Sequence, residues 1–234
     1  MAFDPGILRP HVPALLAGLV DTFWLCASSA VLACLLGMVL VVLRRMGPRP
    51  LAVLIDAYIA VTLALPLLVL LYVSFYVLPD FGLLLPAPLV GVLTLAIYYA
   101  PYIAQVIQAA IDGLPRGTVE AAVAIGMPPL AIARRIVAPQ ALPLLLPTLT
   151  GLGIGLFKDS ALLSVISVHE FMFAAKSVVA ETYAPLEVYC MVALVYWAAT
   201  GLLHALTRRW EQRIAIAHGV QSHGISSSSN ASTP

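Results

Sequence analysis

Charge is scarce in this chain. Lys and Arg total 12 and Asp and Glu 11 in 234 residues, 10% of the chain, against 62% in the hydrophobic class. The mean hydropathy is +1.00. A soluble domain carries about a quarter charged residues, so this composition excludes an ordinary soluble globular domain, a disordered chain and a nucleic-acid binder. Cysteine is scarce as well. Cys26, Cys34 and Cys190 each sit inside an apolar run and none is part of a C-x-x-C spacing, which argues against a disulfide framework or a thiolate metal site. No G-x-x-x-x-G-K-[ST] loop is present, so any ATP hydrolysis must come from another polypeptide. The histidines, His11, His169, His204, His218 and His223, fall near segment ends or in tails, and no H-E-x-x-H occurs. An intramembrane hydrolase would need a serine, histidine or paired-aspartate constellation at depth, and none is evident. Neither a cofactor nor a metal site is indicated. Polar/apolar alternation over the length of a barrel strand is also missing.

What the chain does have is long apolar runs. A bilayer core takes about 20 apolar residues as a helix, and five segments qualify, near residues 14–43, 51–78, 88–111, 144–168 and 186–206. Pro66 interrupts the second and Pro101 lies inside the third; both are expected to kink their helices. The first segment is too long for a signal-peptide h-region and has no basic run before it, so it reads as a permanent anchor.

The few cations are informative by position. Arg44, Arg45 and Arg49 follow the first span. Arg116, Arg134 and Arg135 lie between the third and fourth, and Arg208, Arg209 and Arg213 follow the fifth. With five spans all nine fall on one side, and the positive-inside rule puts the N-terminus outside and the C-terminus in the cytoplasm. Four or six spans would break the pattern. The expected organisation is an extracytoplasmic segment 1–13, a transmembrane body 14–213 with a cytoplasmic loop 112–143, and a Ser-rich disordered cytoplasmic tail 214–234. The sequon at Asn230 falls on the cytoplasmic side and reads as chance.

The loop 112–143 is too long for a turn. Gly113 to Gly117 is a turn signal. A helix former follows from Thr118 to Ile125, with Glu120 expected in its first turn, where a carboxylate is favoured. Gly126 is suited to the left-handed conformation that ends a helix. Met127-Pro128-Pro129 restarts the chain, and Leu130 to Val137 reads as a second short helix carrying Arg134 and Arg135 in its last turn, with Pro139 and Pro143 ending it. Composition alone allows a bland reading, a pair of interfacial amphipathic helices.

Glu120-Ala121-Ala122, Gly126, Ile136 and Pro139 resemble the EAA loop of ABC-importer membrane subunits. The likeness extends through Pro66-Leu67-Leu68-Val69, Tyr72, Phe75, Tyr76 and Pro79, then Tyr102-Ile103-Ala104, Pro139-Gln140-Ala141-Leu142, Lys158-Asp159-Ser160-Ala161-Leu162, Ser164-Val165-Ile166 and Glu170, in the order of polar amino-acid permeases of the histidine/glutamine/arginine type. It covers roughly residues 15–213. The resemblance implies an all-α type I importer permease fold in a bacterial inner membrane, and a transport role rather than an enzymatic one. The partners it implies are a cytoplasmic pair of ABC ATPase subunits, a second permease subunit and an extracytoplasmic solute-binding protein. By carry-over, Glu120, Ala121, Ala122 and Gly126, with Arg134 and Arg135, face the ATPase. A secondary transporter or channel working without ATP is the competing reading, and the coupling-type loop argues against it.

Lys158 and Asp159 are expected near the middle of the fourth span, where a lone charge costs about 2.5–3.5 kcal/mol and is functional by default. Pro66, Gln105, Gln108, Lys158, Asp159 and Ser160 are the candidate translocation residues. Gly151 and Gly155 form a small-xxx-small face suited to a subunit interface. Asp21 and Asp56 read as interfacial, Asp56 near Arg44, Arg45 and Arg49. His169 and Glu170 fall just outside the fourth span, where the resemblance implies contact with the binding protein or an outer gate; a solvated rim is the other reading. Several charged or amide positions of the family are neutral here: Leu63-Ala64-Leu65 precedes Pro66 in place of Arg-Gly-Thr, Leu70 replaces Gln, and Gln105 and Gln108 replace Glu and Arg. Gly151 stands where the family has Asn. The channel is therefore less polar than the family norm, either because a partner permease binds the substrate or because the solute itself is less polar.

Overall fold

The computed structural model describes residues 5–217, and those residues are helical almost throughout. After a 3-10 turn Pro5–His11 come α1 (Val12–Met46), α2 (Arg49–Ala64) and α3 (Leu67–Tyr72), the last prolonged by a π turn Val73–Val77 and a 3-10 turn Leu78–Phe81. Then follow α4 (Ala87–Asp112), α5 (Arg116–Ala124), α6 (Pro129–Ile132), a π turn Ala133–Val137, α7 (Ala138–Asp159), a 3-10 turn Ser160–Ile166, α8 (Phe171–Thr182) and α9 (Pro185–Ala217). Residues 1–4 and 218–234 lie outside the described residues; the first four residues of the expected tail, 214–217, instead continue α9 as helix.

Four helical stretches are long and apolar enough to cross a membrane: Gly6–Met46, Ala87–Asp112, Pro129–Ile166 and Pro185–Arg209. The fifth expected span is a bent pair. Arg49–Ala64 and Leu67–Phe81 meet at 107°, a break rather than the kink expected at Pro66. The cause is local: the residue before a proline is pushed out of the α region, and Leu65 is extended at φ −94°, ψ 137°.

α1 is organised by size. Its buried positions Gly18, Thr22, Cys26, Ser29, Ala33 and Gly37 recur every three or four residues and are nearly all small. Leu16, Val20, Trp24, Val31, Leu35 and Val39 face outward. Apolar side chains gain nothing by leaving lipid for a protein interior, so helices in a bilayer pack through small residues that let backbones approach. A Cβ on Gly37 would lie 2.9 Å from Ile103 Cγ2 and 3.0 Å from the Ala100 carbonyl oxygen, which shows how closely α1 rides on α4. α4 is the most enclosed span and forms the centre of the subunit.

Two ion pairs gather one end of the bundle. Arg44 near the end of α1 binds both carboxylate oxygens of Asp56 on α2, and Arg45 binds Asp112 at the end of α4. The sequence had placed Asp56 near these arginines, and the pairing with Arg44 agrees. Arg44 and Arg45 make this the basic end of the bundle.

The opposite end contains an element the sequence reading missed. α8 lies between the last two spans, too short to cross a membrane, and packs on the first half of α1. Glu170 is fully buried, not a solvated rim residue, while neighbouring His169 is exposed. The Glu170 carboxylate caps α8 by accepting from the backbone N–H groups of Met172 (2.9 Å) and Phe173 (2.7 Å). Thr22 on α1 accepts from the Phe171 N–H at 3.0 Å. A Cβ on Gly18 would come within 3.1 Å of the Glu170 backbone, so the glycine permits this contact. Burial pushes the Glu170 carboxyl up to about 7, the capping N–H groups and Lys176 only partly opposing it.

Candidate functional site

The expected coupling segment sits at the basic end. α4 ends at Asp112, whose carboxylate holds Arg45, and after Gly113-Leu114-Pro115 the chain re-enters a helix at Arg116. α5 thus starts two residues earlier than the sequence indicated, because the extended Pro115 (φ −59°, ψ 118°) already serves as its N-cap. Glu120 is consequently the fifth residue of α5, not a first-turn residue, and the dipole argument for its carboxylate fails. Gly126 does end the helix. It has φ +77°, its N–H donates to the Val123 carbonyl and the Met127 N–H to the Ala122 carbonyl, the Schellman pattern that glycine favours.

Glu120 and Ala121 are exposed, whereas Ala122 is buried at 3% exposure. Ala122 therefore packs α5 onto its own chain and is not available to a partner. The outward face of this corner is apolar: Val123, Ile125 and Leu130 are all well exposed, and Arg134 and Arg135 are exposed beside it. The two arginines do not end a helix. Helix continues through α6, the π turn and α7 past Pro139 and Pro143, and the fourth span begins well before residue 144. Pro139 takes the second position of α7, where its missing N–H follows the wide π turn, so the proline is accommodated instead of terminating.

The six candidate translocation residues do not converge. Gln105 and Gln108 line a cavity of about 320 Å³ at the basic end with Arg44, Asp56 and Asp112. Pro66 is exposed at the α2–α3 break. Ser160 is fully buried, and its hydroxyl donates to the Phe157 carbonyl at 2.8 Å. Lys158 and Asp159 diverge. Asp159 accepts from the Tyr99 hydroxyl at 2.8 Å, beside a cluster in which the rings of Tyr98, Tyr99 and Tyr102 lie 5.4–6.0 Å apart. Lys158 is exposed and opens into a cavity with Tyr196, Trp197 and Thr200 of α9.

Both charges close α7 rather than lying in its centre, but they are deep in the bundle. Thirteen residues of α4 separate Tyr99 from Asp112, about 20 Å, and eleven of α9 separate Trp197 from Arg208, about 17 Å. Gly155 is occupied within the chain, since a Cβ there would lie 3.1 Å from the Tyr99 hydroxyl, while Gly151 looks onto open space. Tyr99 is the site residue sequence reasoning missed. Its apolar neighbourhood on α4 gives no sign that its hydroxyl reaches α7, sixty positions away.

The family described as binding-protein-dependent transport system inner membrane component matches residues 21–216. The chain belongs to this family. A relative from Sinorhizobium fredii (strain NBRC 101917 / NGR234), named a probable amino-acid ABC transporter permease protein, is 37% identical over 212 residues, 89% of this chain and 88% of the relative. The arginine transport system permease protein ArtQ of Bacillus subtilis (strain 168) is 29% identical over 215 residues, 92% of this chain and 98% of its own. Among solved structures, a chain of an amino acid ABC transporter with histidines is 30% identical with a TM-score of 0.85, covering 91% of this chain and 100% of that one. A chain of the inward-facing MetNI methionine ABC transporter, 21% identical with a TM-score of 0.75, shares the fold. The protein is a multi-pass permease subunit of an ABC importer in a bacterial inner membrane, with the type I permease fold. The family's systems depend on a binding protein, and its permeases work with ATPase subunits.

Proposed function

We propose that this subunit imports an amino acid, with its N-terminus outside and its basic end in the cytoplasm, and that α5 docks on an ABC ATPase. The observation that carries this reading is the α5 corner. A short helix leaves the enclosed central span α4 after three residues, ends at a left-handed Gly126 and presents Val123, Ile125 and Leu130 to the outside. Exposed apolar side chains beside a cluster of arginines suit a protein groove at the membrane face. Glu120, Ala121 and Gly126 border the same surface, with Arg134 and Arg135 beside it. The connection is short, so a displacement of α5 is transmitted to α4.

The second permease subunit, a homo- or heterodimer partner, covers the face that bears Lys158 and Gly151. Lys158 is exposed beside Trp197 of α9, about 17 Å along that helix from Arg208, and an ammonium facing hydrocarbon at such depth costs about 2.5–3.5 kcal/mol. That face therefore turns toward a partner or a water-filled pathway, not toward lipid. The Tyr99–Asp159 pair and the tyrosine cluster offer hydroxyls and one carboxylate to a solute. The amino-acid assignment draws on what the relatives are named to carry.

Reconstitution of the chain with an ATPase and a binding protein encoded beside it tests the reading. ATP-dependent uptake from a radiolabelled mixture of the common amino acids is the expected result. Uptake that proceeds without ATP, or failure of any ATPase to co-purify after gentle extraction, contradicts it.

A further inference from the structure

Pro101 lies inside α4. A proline has no N–H, so the carbonyl four residues earlier, that of Ile97, loses its helical donor. In a bilayer an unmade backbone hydrogen bond has no water to fall back on. The vacancy is filled from another helix: the Tyr58 hydroxyl on α2 donates to the Ile97 carbonyl oxygen at 2.6 Å. On another side of the same turn, α1 closes against the Ala100 carbonyl and Ile103 through Gly37. The proline turn of α4 is thus clasped by a polar contact from α2 and by close packing from α1.

From this we infer that Tyr58 is a positioning residue for transport. It ties α2 to α4 at the proline turn, so that the two helices move as one body when α5 is displaced. The placement fits that role. α4 runs directly into α5, and α2 runs into the 107° break at Pro66. A link between them carries motion at the coupling corner to the break. Tyr58 is neither the hydroxyl that bonds Asp159 nor part of the lining of the Lys158 cavity, and its role here is positioning. The inference rests on the proposed importer reading.

The test uses the complete reconstituted complex and two substitutions. Tyr58→Phe keeps the ring and removes the hydroxyl, and lowers solute transported per ATP hydrolysed by about fivefold, the scale of one lost hydrogen bond. Pro101→Ala returns an N–H to the Ile97 carbonyl, whose oxygen has two lone pairs and accepts from both donors. In the Pro101→Ala background the Tyr58 hydroxyl still ties α2 to α4, so Tyr58→Phe lowers the ratio there as well, by at least about threefold. A role confined to satisfying the Ile97 carbonyl predicts no loss once alanine stands at 101, and that result overturns the proposal, as does a Tyr58→Phe variant with the parental ratio. Size-exclusion chromatography with the ATPase bound establishes that each variant assembles. If Tyr58→Phe does not assemble but the double variant does, the ratio of the double variant against Pro101→Ala alone decides in the same way; if neither assembles, the bond is not what Tyr58 supplies and the proposal fails. A parental complex without ATP-driven uptake overturns the importer reading instead, a result distinct from each of these.

Discussion

The Tyr99 hydroxyl on α4 donates to the Asp159 carboxylate at the end of α7 at 2.8 Å, joining the central span to the helix that follows the α5 corner. Both residues sit deep in the bundle, and the Tyr99 ring also occupies the space above Gly155. One side chain therefore sets both the spacing of the two helices and the orientation of an intramembrane carboxylate.

Removing that hydroxyl leaves Asp159 short of a donor in a low-dielectric setting. Tyr99→Phe is expected to destabilise the detergent-solubilised subunit by about 1–2 kcal/mol. A double-mutant cycle with Asp159→Ala, followed by thermal unfolding, should show coupling of at least about 0.5 kcal/mol. Additive effects would mean that the contact carries no weight.

The Glu170 clamp between α1 and α8 gives a pH dependence of definite sign. Its carboxyl is raised from 4.5 to about 7 mainly by burial. Between these values the folded protein holds a proton that the unfolded chain has released, so stability falls as pH rises through this window. Thermal unfolding between pH 4.5 and 8 should show the midpoint falling and levelling off above about 7. Glu170→Gln, which keeps one acceptor for the α8 cap, should flatten the curve.

Two glycines should respond in opposite ways to the same change. Gly37→Leu forces a side chain into Ile103 and the Ala100 carbonyl and should cost about 1–3 kcal/mol of subunit stability. Gly151 has open space where its Cβ would be, so Gly151→Leu should leave the subunit within about 0.5 kcal/mol yet reduce the yield of assembled permease pairs. Thermal unfolding of the subunit and size-exclusion of the complex read the two effects separately.

Much of the architecture was legible because the bilayer imposes it. The spans followed from hydropathy, and Gly126 from the need for a positive φ after a short helix. The places where reading failed share a cause. Pro139 and Pro143 look like stops, but a π turn at Ala133–Val137 lets the helix run on, and nothing in the local composition announces a π turn. α8 is short and flanked by polar residues, so hydropathy passes over it. The dense small-residue stripe lies on α1, from Gly18 to Gly37, where the small residues are spread among Thr, Cys and Ser and give no G-x-x-x-G signature. The site was less legible than the fold because its contacts are long-range. Pro101 indicates that Ile97 needs a donor but not that Tyr58 supplies it, and no pattern on α4 points from Tyr99 to Asp159.

If the α5 corner transmits ATP-driven closure to the spans, Gly126→Asp should interrupt that transmission. At φ +77° the substitution strains the corner and places a carboxylate beside the exposed apolar face of Val123, Ile125 and Leu130, while open space around the residue should leave membrane insertion intact. ATP-dependent uptake measured beside membrane content and ATPase co-purification should show normal insertion, weakened ATPase retention and at least about a tenfold loss of uptake, the scale of 1.4 kcal/mol. Full ATP-driven uptake by this variant would contradict the account.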